Sequence, residues 1–141
     1  MKKIIPAFAL CAVVLLTLSA TVNMESESNL TADFVYGNPK IASINHMSFG
    51  PEGILFLGDS QNAAIYALET KDLESTGDVT EINMGEFDKK IASSLGTTIE
   101  NIKISDMAVN PISKNIYFSV QVADGTPILL KLKGRGLKMF P

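Results

Sequence analysis

Ile44-Asn45-His46-Met47-Ser48-Phe49-Gly50-Pro51 and Ile104-Ser105-Asp106-Met107-Ala108-Val109-Asn110-Pro111 are the two stretches whose comparison decides the fold. Laid over one another at a constant offset of sixty, their Ile, Met and Pro coincide. A two-residue insertion then brings Ile54-Leu55-Phe56 onto Ile116-Tyr117-Phe118, and a further small shift brings Ile65-Tyr66-Ala67-Leu68 onto Leu129-Leu130-Lys131-Leu132. Each copy reads as strand, Pro-containing turn, strand, turn, strand, which makes the chain an internal repeat before it is anything else.

Outward from this core, short apolar runs separated by Gly, Pro, Asn and Asp predict strands over 33–36, 43–49, 54–58, 63–69, 79–83, 103–109, 115–122 and 127–133. Glu86–Leu95 breaks the pattern: Phe87, Ile91 and Leu95 recur every fourth residue and Gly96 follows, which predicts a short helix and its stop. Thr97 with Glu100 resembles a capping box. Sheets that are apolar on both faces must stack to be buried. The expectation is therefore an all-β fold: about two four-stranded antiparallel blades of an incomplete β-propeller, with one inserted helix. That helix lengthens the repeat beyond the roughly 40 to 50 residues usual per blade.

Met1–Ala20 has two early lysines, an apolar run from Ile4 and small residues at its end, the layout of a cleavable export signal. The apolar run is too short for a spanning helix, which needs about 20 such residues. The layout predicted is a signal over 1–20, a flexible polar lead-in over 21–31 and a partial β-propeller domain over 32–141, in a secreted or periplasmic protein. Cys11, the one cysteine, lies in the leader, so no disulfide is expected after cleavage. Without Lys2 and Lys3 the chain holds 10 basic against 15 acidic residues, a net −5, which excludes nucleic acid as a natural partner. Any membrane attachment would run through an uncleaved leader. The strand at 33–36 lacks a partner, and Gly134–Pro141 stops before a fourth strand of the second copy. Propellers close with roughly four to eight blades. The chain is thus expected to be a fragment, or a short protein that self-associates to complete a ring.

Met47 through Tyr66, with its Pro-Glu-Gly turn and Asp59-Ser60-Gln61-Asn62 segment, resembles a blade of the NHL-repeat and gluconolactonase-like propeller group. Asp106 through Val120 looks like the next blade, and the resemblance spans roughly 33–133. It implies a propeller fold and an exported bacterial protein, without fixing an activity, since propellers host many. A lactonase of this group would carry Glu-Gly-Pro on an inner strand; Asn45-His46-Met47 stands there instead, so that metal-binding glutamate does not transfer.

His46, the only histidine, falls on Asp106 in the overlay. Both are placed at the start of an inner strand, where a ring of such groups could hold a divalent metal ion or orient a substrate; the simpler expectation is exposed strand-start residues. Asn45 and Ser105 are secondary candidates. Asp59 and Asn62, between two strands, read either as a turn whose side chains bond nearby backbone or as a ligand contact at a blade edge. Glu69, Asp72, Glu74, Asp78 and Glu81 read as a solvated edge, their spacing not fitting a calcium loop. No nucleophile elbow, phosphate loop or zinc motif is present. The leading expectation is a binding or interaction module for a small molecule or protein, with no evident cofactor. The alternative is a metal-assisted hydrolase or lyase using His46 and Asp106.

Overall fold

The computed structural model describes residues 29–75, 84–133 and 136–140. By contacts the chain divides into two units, Met1–Phe34 and Val35–Pro141. In the first, the expected strand at 33–36 does not begin: Asn29 accepts the Thr31 N–H on its side chain (3.1 Å) and the Ala32 N–H on its carbonyl (3.1 Å), folding the segment into a turn. Asn competes for local backbone in this way and so disfavours extension.

The second unit is all-β with one short helix. β1 (His46–Phe49), β2 (Ile54–Asp59) and β3 (Ala64–Glu69) form a three-stranded antiparallel sheet in chain order. After α1 (Phe87–Ser94), β4 (Ile102–Val109), β5 (Ile116–Val122), β6 (Pro127–Lys133) and β7 (Gly136–Met139) form a four-stranded one, also in chain order. The strand expected at 79–83 lies outside the described residues.

β7 overturns the expectation that the second copy stops at three strands. Leu137 pairs opposite Leu132 and packs on the apolar cluster around it, and the Phe140 N–H reaches the Leu129 carbonyl at 2.8 Å. Strand formation here rests on Leu137 alternating with Lys138, a signal too short to read without its partner.

Both hairpins turn at a Pro. In the first, Gly50 donates to the Ile54 carbonyl at 2.8 Å, with Glu52 and Gly53 in the left-handed region. Gly53 has φ +70°, a backbone conformation that favours glycine, and a Cβ there would press on the end of the Leu73 side chain at 3.0 Å. α1 spans the predicted interval less its ends. Gly96 (φ 69°) ends it with the Thr97 N–H wrapped back to the Ala92 carbonyl at 3.0 Å. The capping box is corrected by one residue: Thr98, not Thr97, precedes the 3-10 turn Ile99–Asn101 and makes no side-chain cap. Instead the Glu100 carboxyl is held below its usual range by its own N–H and the Thr98 hydroxyl.

Packing builds three layers. Ile44, Met47, Leu55 and Leu57 of the first sheet and its lead-in meet Tyr117 and Leu129 of the second. On the far side of the second sheet, Phe118, Val120, Leu130 and Leu132 receive Ile91, with Phe87 and Leu95 beside it.

Strand registers refine the repeat. Phe49 stands opposite Leu55, and Val109 opposite Ile116. Leu55, not Ile54, is therefore the counterpart of Ile116, which moves the second strand of the overlay by one residue. The third strand needs no correction, because Leu68 opposite Leu55 matches Leu132 opposite Ile116. The shift matters because one residue exchanges the faces of a strand. With the corrected match, Met47, Phe49, Leu55 and Leu57, which face the second sheet, correspond to Met107, Val109, Ile116 and Phe118, which face away from the first. The sheets thus stack head to tail, each presenting the same face in the same direction.

Candidate functional site

His46 begins β1, and its ring is 91% exposed; its Nδ1 lies 3.9 Å from Oδ2 of Asp106. The overlay places these two residues at equivalent positions of the two repeats, and the fold sets them side by side. Regular alternation from Ala108, which packs on the first-sheet side, directs the Asp106 carboxylate toward β1, and the register of β4 slips just before it, between Ile104 and Asp106. There Oδ2 accepts the Met47 N–H at 2.8 Å, and Oδ1 accepts the Met107 N–H at 2.8 Å. In β1, even-numbered residues bond to β2, as the Gly50 to Ile54 contact fixes, so the Met47 N–H points to the open edge. Asp106 fills that need and straps the two inner strands together.

This use of Asp106 limits what the pair can do. Both carboxylate oxygens already hold backbone donors, and among the described residues no group of three or more His, Cys, Asp or Glu side chains could hold a metal ion. A protonated His46 beside Asp106 would form an exposed pair of little energetic weight.

Next to the pair, Asn45 and Ser105 line a shallow cleft with Ser43, Ile44, Val120, Gln121 and Pro127. Its cavity volume of about 10 Å³ is that of roughly one water position, far short of the roughly 300–1,000 Å³ of small-molecule sites.

Asp59 and Asn62 are also together, and they make the turn rather than a ligand contact. Asp59 is buried at the end of β2 and accepts the N–H groups of Ala42 (2.8 Å), Gln61 (3.0 Å) and Asn62 (3.1 Å), the Ser43 hydroxyl (2.7 Å) and the Asn62 amide (2.9 Å). Burial pushes its carboxyl upward, but these donors prevail and hold it at about 2. Because Ala42 and Ser43 are bound to Asp59, β1 starts at His46 and not at Ser43. A polar chain continues from Ser43 through Ser60, whose hydroxyl donates to the Asn45 side chain at 2.7 Å. No hydrogen bond joins Asp59 or Asn62 directly to His46 or Asp106.

Asp72 corrects the reading of the acidic connection as a solvated edge. Its side chain is 9% exposed. It accepts the Ser113 hydroxyl (2.9 Å), the Asn115 amide (3.0 Å) and the Tyr117 hydroxyl (2.9 Å), with the Lys131 ammonium at 3.8 Å. Its own carbonyl takes the Asn110 amide at 2.8 Å. Burial opposes the charge, and the Asn115, Ser113 and Tyr117 donors, with Lys131, outweigh it, so the carboxyl is held below its usual range. Two residues earlier, toward the first sheet, the Thr70 hydroxyl donates to the Gly53 carbonyl at 2.7 Å. The connection therefore ties the two Pro turns together. Ser113, Asn115 and Tyr117 alternate in sequence, which places them on one side of the strand entry; that polar alternation was the available signal.

Corresponding positions in the two sheets differ in exposure. Phe56 and Ile65 of the first sheet are the counterparts of Tyr117 and Leu129 of the second, by the corrected registers. Tyr117 and Leu129 are buried against the first sheet, at 0% and 7% exposure, while Phe56 and Ile65 are at 39% and 78%. Compared with family models, curated proteins and solved structures, the chain matches none.

Proposed function

We propose that the chain is a segment of an exported β-propeller of the NHL-repeat and gluconolactonase-like kind, and that it acts by binding. Its outer face on the first sheet receives another sheet of the same repeat or a partner protein with an equivalent apolar surface. The observation that carries this reading is the head-to-tail stacking. Tyr117 and Leu129 are covered by a sheet, and their counterparts Phe56 and Ile65 present the same kind of surface with nothing over it among the described residues. Apolar sheet faces of this sort mark interaction sites. The strap from Asp106 to Met47 and the Asp72 connection support it by fixing the two sheets as one platform. Export is part of the proposal and is supported by the layout of Met1–Ala20.

Site-specific photocrosslinking tests both halves. With p-benzoylphenylalanine in place of Phe56, irradiated cells should yield a discrete adduct in the secreted or periplasmic fraction. The same group in place of exposed Lys114, on a turn of the second sheet, should yield none. No adduct from position 56, or a chain retained in the cytoplasm, would sink the proposal.

A further inference from the structure

Glu27-Ser28-Asn29-Leu30-Thr31 lies in the first unit, ahead of every described strand. Of the nine asparagines in the chain, only Asn29 has Ser or Thr two residues on, and Leu30 between them is not Pro, so the triplet is an acceptor pattern for an N-linked glycan. Bacterial transferases of this class ask for more: a carboxylate two residues before the asparagine, which they grip through a cationic side chain. Glu27 stands at that position. The match therefore extends over five residues, beyond the three that recur by chance.

The local geometry adds a second, independent observation. Asn29 and Leu30 are exposed. The Asn29 Oδ1 accepts the Thr31 N–H at 3.1 Å and the Thr31 hydroxyl at 3.0 Å. An amide oxygen has two acceptor sites, and Thr31 fills both, so these contacts leave out Nδ2, the atom to be modified. An amide nitrogen is a poor nucleophile because its lone pair is shared with the carbonyl. Donors on Oδ1 make the Nδ2 protons more acidic, so that a base takes one more readily as the nitrogen forms its new bond. The hydroxyl that the pattern specifies is thus already placed on the amide it would activate.

We infer that Asn29 is an acceptor for an N-linked oligosaccharide, supplied by a polyprenyl-diphosphate-linked donor. Nδ2 of Asn29 bonds to the anomeric carbon of the first sugar while the bond from that carbon to the diphosphate oxygen breaks. Polyprenyl diphosphate leaves with the electron pair, and the amide proton passes to a base on the transferase. In a cell the inference rests on export of the chain, because the donor is used outside the cytoplasm. It does not depend on the propeller reading or on a partner for the Phe56 face.

Purified full chain incubated with a bacterial oligosaccharyltransferase and its lipid-linked oligosaccharide tests this, with an established acceptor protein in the same tube. Intact mass should rise by one oligosaccharide, and peptide fragmentation should place it on Asn29. Asn29→Gln and Thr31→Val should abolish the gain, Glu27→Gln should lose most of it, and Thr31→Ser should keep it. An unmodified chain beside a modified control, or a gain that survives Asn29→Gln, would overturn the inference. Reaction in the tube does not depend on where a cell sends the chain, so export is read separately, by fractionating cells that hold the transferase and donor. A chain modified in the tube and retained bare in the cytoplasm would overturn the export reading and not the acceptor.

Discussion

The two sheets place counterpart residues in opposite circumstances. In the second, Tyr117 lies under the first sheet, edge-on to Phe49 at 5.1 Å, with its hydroxyl on Asp72. In the first, Phe56 occupies the corresponding place on an open face. The repeat fixes which residues are apolar, and neighbours decide which of them are buried. An apolar position is thus a statement about a surface that can be covered, and only the stacking order tells which surface is.

Substitution at this matched pair gives the largest expected contrast. Tyr117→Ala should destabilise the chain by about 4 kcal/mol, from the cavity between the sheets and the lost donor to Asp72. Phe56→Ala, on the open face, should cost less than about 1 kcal/mol. Urea unfolding of both variants measures the difference. Equal losses would mean that the first sheet's outer face is covered in the isolated chain, and would break the comparison.

Much of this arrangement was legible in the amino-acid order. Met47 and Met107 with Pro51 and Pro111 located both hairpins, and the spacing of Phe87, Ile91 and Leu95 located the helix and the face it buries. The overlay placed His46 and Asp106 at equivalent positions of the two repeats, and the fold sets them 3.9 Å apart. What Asp106 does was not legible, because the Met47 N–H that it accepts lies 59 residues away in the chain. Asp72 was misjudged for a related reason. Its partners lie some forty residues away, at sequence separations of 41 to 45, and a carboxylate in a polar stretch carries no local mark of burial. Proline and glycine signal turns through their own backbone preferences, whereas a buried ionic hub exists only once distant elements meet.

Acid should separate the two buried carboxylates that organise the sheets. Asp59 serves its own sheet, closing the β2–β3 turn onto the lead-in to β1, whereas Asp72 joins one sheet to the other. Both carboxyls titrate lower in the folded chain than in the unfolded one, where the ordinary value is 3.8. Folding is then favoured by their ionisation. That contribution is complete above the unfolded value and is lost as pH falls from about 4 toward 2. Thermal unfolding should show a flat stability above about pH 5 and a steep loss below it. Asp72→Ala should lower stability at neutral pH by about 3 kcal/mol, since Lys131 and three polar donors are left without their acceptor, and should flatten the acid limb. Asp59→Ala should flatten it too while leaving the packing between the sheets intact, as near-ultraviolet dichroism of Tyr117 would report. A loss of that signal in the Asp59 variant would show that the turn and the sheet interface are one cooperative unit.

The smallest expected effect lies at another matched pair, Gly58 and Ser119, the residues opposite His46 and Asp106. Gly58 lies on the open face, where the absence of a side chain has no packing consequence. Ser119 is 1% exposed against the first sheet, and its hydroxyl has no hydrogen-bond partner among the described residues. A buried hydroxyl without a partner loses its hydration and gains nothing in return. Ser119→Ala keeps the strand backbone and most of the volume while removing that group, so it should raise stability by up to about 1 kcal/mol. Ser119→Gly, which restores the residue of the first sheet, should instead lower it by roughly 0.5–1 kcal/mol relative to Ala through backbone entropy. The sign of the Ala variant is decisive. A gain means that the sheets meet through a dry layer at this point, and a loss means that the hydroxyl is solvated between them, so that even the covered face admits water beside the Asp106 strap.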